Sequence, residues 1–258
     1  MDLTLNHKTT YVYEPGPSAA ALRLKLFPAN SGSQAVSNWA VTVNGEAITP
    51  LCTEASGDPV ALWHKHGALD EVEVIASGRI QTSDKAGVIS GLQSSVPIGV
   101  YLRRTDLTNP DQAIRKLAGA VTGDTPLEKL HALSSAISDA IEYRPGATNT
   151  RTTAIEALAI GAGICQDQTH VFLSAARVLS IPARYVVGYL FDQEADGPQD
   201  THAWAEAHIA GLGWTGFDVT HQLCPTDAYV RVCCGLDADD AAPIRGNVVG
   251  EVSEALTT

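Results

Sequence analysis

Gly161-Ala162-Gly163-Ile164-Cys165-Gln166-Asp167-Gln168-Thr169-His170 opens the stretch that decides how this chain is read. The glycines form a turn, and over residues 165–180 Val171, Phe172, Ala175, Val178 and Leu179 recur at helical spacing. Ile181-Pro182 stops that helix, because proline lacks the amide that a further turn needs. Cys165 therefore stands at the first turn of a helix. A helix N-terminus carries about half a positive charge and exposes unpaired N–H groups. A thiol placed there is favoured as thiolate, its nucleophilic form. The N–H groups, that of Gln166 among them, suit a developing oxyanion. Gly163 is expected to let a substrate backbone come close.

Working outward, residues 184–190 read as a strand with Tyr185, Val187 and Tyr189 on one face. Residues 192–200 make an acidic loop containing Gly and Pro, expected to shape the substrate cleft. Two further strands follow at 202–209 and 214–219, joined by the turn at 210–213. Alternation puts His202, Trp204, Glu206 and His208 on one face of the first, and Trp214, Gly216, Asp218 and Thr220 on one face of the second. A turn near Leu212 leaves His202 and Asp218 as diagonal neighbours, roughly 7–8 Å apart at Cα, which side chains can bridge. An imidazole so placed serves as base for the thiol, and a carboxylate beside it fixes the tautomer and stabilises the imidazolium. Cys165, His202 and Asp218 are thus the candidate triad. Trp204 is expected in the core or as cleft wall shielding the imidazole. Tyr143 and Gln166 are candidate oxyanion or cleft residues.

Upstream, residues 3–5, 21–26, 39–43 and 72–75 alternate with period two, as half-buried strands do. Asn44-Gly45 after the third of these signals a hairpin whose turn wants positive φ at both positions. Helical spacing then takes over at 111–121 and 125–141, with Leu127, Leu130, Leu133, Ile137 and Ile141 on one face and Thr125-Pro126 at the start. A short helix is expected at 153–159. The chain divides on this reading into a β-sandwich at 1–105 and an α+β catalytic domain at 106–258, with a polar tail after Asp237 that wraps the surface or frays.

At 258 residues the chain is long enough for a well-buried core, and 45% hydrophobic against 18% charged residues makes it globular rather than disordered. A net charge of -12 argues against nucleic acid and anionic membrane as partners, since both call for clustered Lys and Arg. The start has no basic segment followed by an apolar run, and no stretch reaches the roughly 18 apolar residues of a spanning helix, so a cytoplasmic location is expected. Five cysteines at irregular spacing do not form a disulfide framework.

These segments, with Ile181-Pro182-Ala183-Arg184-Tyr185-Val186-Val187-Gly188-Tyr189, His202-Ala203-Trp204-Ala205-Glu206 and Gly213-Trp214-Thr215-Gly216-Phe217-Asp218, resemble the bacterial transglutaminase-like proteins. The order Cys, His, Asp matches, as does a β-rich region ahead of the core. Residues 225–232 resemble the stretch after the core in that family. The resemblance implies a papain-like α+β core, the Cys-bearing helix packed on an antiparallel sheet, with a small β-sandwich before it. It implies acyl transfer through a thioester on Cys165, with His202 as base and then acid and Asp218 orienting it. Asp167 and Arg184 match the pattern as structural support, expected to pair with each other. One departure is Asp218-Val219-Thr220-His221, where the family usually has Asp-Pro-Thr, often followed by Asn.

The function expected is hydrolysis of a peptide or isopeptide amide in a peptide or protein substrate, with no metal and no cofactor. Alternatives are a protein-glutamine transglutaminase with an amine acceptor and a non-catalytic peptide-binding module. His221, Cys224, Cys233 and Cys234 offer a zinc reading, against which stand the adjacent cysteines and the lack of Cys-x-x-Cys. His208 and His221 are rival bases. His170, five residues after Cys165, points away from the thiol.

Overall fold

The computed structural model describes residues 1–192, 200–250 and 253–257, the last five as backbone only. Seven strands come first: β1 (Asp2–Glu14), β2 (Ala19–Leu24), β3 (Gln34–Val43), β4 (Glu46–Ile48), β5 (Cys52–Thr53), β6 (Pro59–His66) and β7 (Glu71–Thr82). The β3–β4 turn has φ of 48° at Asn44 and 78° at Gly45, the conformation that Asn-Gly favours. A two-residue strand β8 (Val88–Ile89) and two 3₁₀ turns lead to the helices α1 (Gln112–Ala120) and α2 (Pro126–Ala140). Asp111 and Thr125 cap these helices through their side chains. After β9 (Glu142–Tyr143) come α3 (Ala154–Ile160), β10 (Ala162–Gly163) and α4 (Cys165–Val178). The chain closes with β11 (Ala183–Leu190), β12 (Thr201–Ile209), β13 (Gly213–Phe217), β14 (Tyr229–Gly235), β15 (Ile244–Val249) and β16 (Ser253–Thr257).

The strands form two sheets in the order β16-β1-β7-β3-β4 and β15-β2-β6-β5, and a third in the order β14-β11-β12-β13-β8. The first two share one apolar core, in which Val41, Val43, Val72 and Val74 meet Leu22, Leu24 and Trp63. That is a β-sandwich, and the third sheet with its four helices makes an α+β unit. Sheet membership does not follow a cut at 105/106. β8 extends the third sheet, whereas β15 and β16 return to edge the two sandwich sheets. The described residues of the tail after Asp237 are therefore neither frayed nor merely wrapped. Its backbone groups complete the edges of β1 and β2, which would otherwise be left unpaired.

α4 packs on the third sheet. Val171, Phe172 and Ala175 lie in a core with Ala203, Ala205 and Ala207 of β12 and Leu130, Leu133 and Ile137 of α2. The expected amphipathic helix is in fact buried almost all round, polar residues included. Two of them reach across to other segments: Gln168 donates to the Ile141 carbonyl, and Arg177 donates to Tyr101, Thr108, Ala183 and Leu236. A helix fixed on every side holds its first residue rigidly, and that residue is Cys165.

The opposite face of the sheet meets the sandwich through charge. Glu206 accepts from Arg184 at 2.6 Å and from Arg231 at 3.0 Å, all buried. Asp58, from the sandwich, lies 3.4 Å from Arg231 and 3.8 Å from Lys25. Arg184 thus pairs with Glu206, its cross-strand partner in β12, and not with Asp167. The carboxylate of Asp167 sits at the start of α4, accepting from Ile164 N and the Thr148 hydroxyl.

Candidate active site

The β12–β13 register pairs Ala205 with Phe217 and Glu206 with Gly216, which sets His202 and Asp218 two residues off direct opposition. The diagonal closes through the side chains: His202 Nε2 lies 2.7 Å from Asp218 Oδ2. His202 is also hydrogen-bonded to Cys165. Nε2 is committed to the carboxylate, which leaves Nδ1 for the thiol. The structure therefore brings Cys165, His202 and Asp218 together. Cys165 and His202 are each 9% exposed and Asp218 is fully buried, so only the thiol–imidazole end reaches the cleft.

Asp218 is anchored at both oxygens. Oδ1 accepts from the backbone of Thr220 and His221, and Oδ2 also accepts from His221 Nδ1 at 2.8 Å and from the Tyr229 hydroxyl at 2.6 Å. Burial alone would raise its pKa. The hydrogen bonds from His202 and His221, with the charge of His202 and the Tyr229 hydroxyl, outweigh burial and hold it well below the usual carboxylate range. His202 shows the converse. Burial works to discharge the ring, but its bonds to Asp218 and Cys165 prevail and push it up to about 9. An imidazolium at neutral pH is the partner that a thiolate requires. An ionised carboxylate only accepts, so both imidazoles donate through the nitrogens that face it.

The cleft beside Cys165 has a volume of about 280 Å³. One wall is Tyr185, Val187 and Ala203 of the sheet; another is the segment with Ala238, Asp239, Ala242 and Pro243 that leads into β15. Gln166 lines the cleft, its side chain reaching the Thr150 carbonyl at 3.4 Å. The first amides of α4, on Cys165 and Gln166, precede any turn that could accept from them. Tyr143 is half exposed on β9 and pairs in register with Gly163, two residues from Cys165. Its pKa is raised by partial burial and by the charges of Cys165 and Asp200. Trp204 is buried and does not line this cleft. It stacks behind His202, ring centroids 6.2 Å apart, and packs edge-on against Tyr229.

Gly163 has a different reason from the one expected. A Cβ there would lie 2.6 Å from Asp167 Oδ2, so the glycine makes room for the carboxylate that braces the helix start. Most of the loop expected to shape the cleft, residues 193–199, lies outside the described residues. His208 packs on Trp214, far along β12 from His202. His170 is buried against Tyr185, accepts from Ala238 N, and is driven down to about 4 chiefly by burial. Cys233 and Cys234 are neighbours on β14 and enter different cores, so they cannot share a zinc ion with His221 and Cys224. Among the described residues, His202, Asp218 and His221 do place ligand-type atoms within 4.8 Å of one another, but as a hydrogen-bonded group. Tyr229 gave no local signal, because it reaches Asp218 only through the β11–β14 pairing.

The family model described as the transglutaminase-like superfamily matches residues 115–219, which include all three of these residues. The bacterial transglutaminase-like N-terminal region matches residues 3–81. The chain carries a transglutaminase-like core preceded by a bacterial transglutaminase-like N-terminal region. An uncharacterised protein of Mycobacterium leprae is 26% identical over 254 residues, 93% of this chain and 90% of that protein. The crystal structure of a candidate cysteine protease from Cytophaga hutchinsonii superposes with a TM-score of 0.75 at 23% identity, covering 99% of this chain and 91% of that one. The transglutaminase-like fold of this chain thus extends through both the core and the β-rich N-terminal region.

Proposed function

We propose that the chain is a cysteine-dependent acyl-transfer enzyme acting on peptide or isopeptide amides. The observation that carries this reading is a single imidazole bonded to both Cys165 and Asp218, at the N-terminus of a helix fixed on every side. Cys165 Sγ attacks the amide carbonyl, and the oxyanion forms against the first amides of α4. His202 gives its proton to the leaving amine as the C–N bond breaks, leaving a thioester on Cys165. His202 then takes a proton from water as that water attacks, and the thiolate is released with the carboxylic acid. Asp218 keeps the ring in the tautomer that faces the thiol.

Product analysis on a library of peptide and isopeptide substrates tests the reading. Turnover should be lost in Cys165→Ala with the unfolding transition preserved, and hydrolysed product should dominate without added amine. Equal turnover in wild type and Cys165→Ala would refute it. Amide product formed in preference to acid with a primary amine present would transfer the assignment to a transglutaminase.

A further inference from the structure

Asp218 Oδ2 is shared by three donors: His202 Nε2 at 2.7 Å, His221 Nδ1 at 2.8 Å and the Tyr229 hydroxyl at 2.6 Å. A triad needs only the first. Tyr229 is buried and packs against Trp204 and His202, which gives its hydroxyl a structural reason to be there. His221 has no such reason. Its side chain is 44% exposed, and its backbone N–H already bonds Asp218 Oδ1 at 3.2 Å, so the loop is held without the ring. The ring nonetheless turns inward, edge-on to His202 with centroids 5.2 Å apart.

We propose that His221 is a positioning residue that tunes the triad: its Nδ1–H draws charge from Asp218 Oδ2 and weakens the hold of that oxygen on the His202 imidazolium. The inference rests on the acyl-transfer reading above. Each hydrogen bond to a carboxylate makes it a weaker partner for the next donor. The titratable groups facing the His221 ring are Asp218 itself, His202 from β12 and, across the shared oxygen, Tyr229 from β14. His221 is thus a brake on the thiolate–imidazolium pair, set at a partly exposed position.

The test is the pH dependence of iodoacetamide labelling at Cys165, located by peptide mapping, in wild type, His221→Leu and His221→Asn. Removing the ring donor should move the alkaline limb, where the His202 imidazolium loses its proton, to higher pH by about half a unit or more. Asparagine, which retains an N–H donor, should bring the limb back toward wild type. An alkaline limb in His221→Leu that stays in place or moves to lower pH would overturn the inference. Nitrogen-15 shifts of the wild-type ring give a second test independent of any variant. His221 should be the Nδ1–H tautomer when neutral, and an Nε2–H tautomer would overturn the inference on its own. If Cys165 shows no selective labelling in wild type, the acyl-transfer reading fails. If it does and the limb ignores His221, only this inference fails.

Discussion

Asp218 shows how one residue carries the electrostatics of the site. Its carboxylate takes two side-chain imidazoles, one phenol and two backbone amides, and its depressed pKa follows from those bonds overcoming burial. Asp218→Asn keeps the shape and removes the charge, so turnover should fall on the order of 10⁴-fold with the fold intact, as judged by kcat/KM and circular dichroism. The same couple makes stability depend on pH. His202 is raised from 6.5 to about 9, so its contribution is complete below about pH 6.5 and is lost as pH climbs toward 9. Asp218 is lowered, so its contribution is present above the ordinary carboxylate value and is lost only as pH falls below it. The melting temperature of the wild type should therefore drop between pH 6.5 and 9, and scanning calorimetry of Asp218→Asn should show a shallower drop. The pairing of His202 with Asp218 is legible from alternation and turn position alone. The dense anchoring around it is not, because Tyr229 arrives from a distant strand and nothing in the local sequence marks the His221 ring as a partner of Asp218.

At the scale of elements, the start of α4 depends on the fit of Gly163 to Asp167. Asp167 Oδ2 holds Ile164 N at 2.8 Å and the Thr148 hydroxyl at 2.7 Å, and a methyl group on residue 163 would occupy its place. Gly163→Ala should cost about 1–3 kcal/mol in urea unfolding and slow the labelling of Cys165 more than that of exposed Cys52. An unchanged labelling ratio would mean that the brace does not govern the nucleophile. Local signals served well for elements of this kind. Thr125-Pro126, Asn44-Gly45 and Ile181-Pro182 act within a few residues, and each marks an element boundary in the structure. The all-round burial of α4 has no such local mark, because what covers its polar side, Arg177 above all, comes from carbonyls scattered over distant segments.

For the whole molecule, the contact between core and sandwich is charged and buried. Glu206 stands between Arg184 and Arg231, and Asp58 from the sandwich reaches Arg231 and the Cys234 amide. Glu206→Ala would leave the buried Arg184 guanidinium without a carboxylate and Arg231 with Asp58 alone, and should destabilise the protein by about 3–5 kcal/mol in denaturant unfolding. The return of β15 and β16 to the sandwich makes the tail part of both units, and the segment just before β15 is a wall of the cleft. A chain ending at residue 236 should lose sandwich edges and cleft wall together, read as rapid proteolysis and loss of selective Cys165 labelling. A tail written in short polar segments carries no mark of which distant edge it will pair with, so the sequence alone leaves it to wrap the surface or fray. The central claim is that Cys165 and His202 form an activated pair. Its most direct test is the rate of iodoacetamide labelling at neutral pH, residue by residue, in wild type and His202→Ala. The account predicts that Cys165 reacts faster than exposed Cys52 in the wild type and loses that advantage in His202→Ala; equal rates in the wild type, or an advantage that survives the substitution, would contradict it.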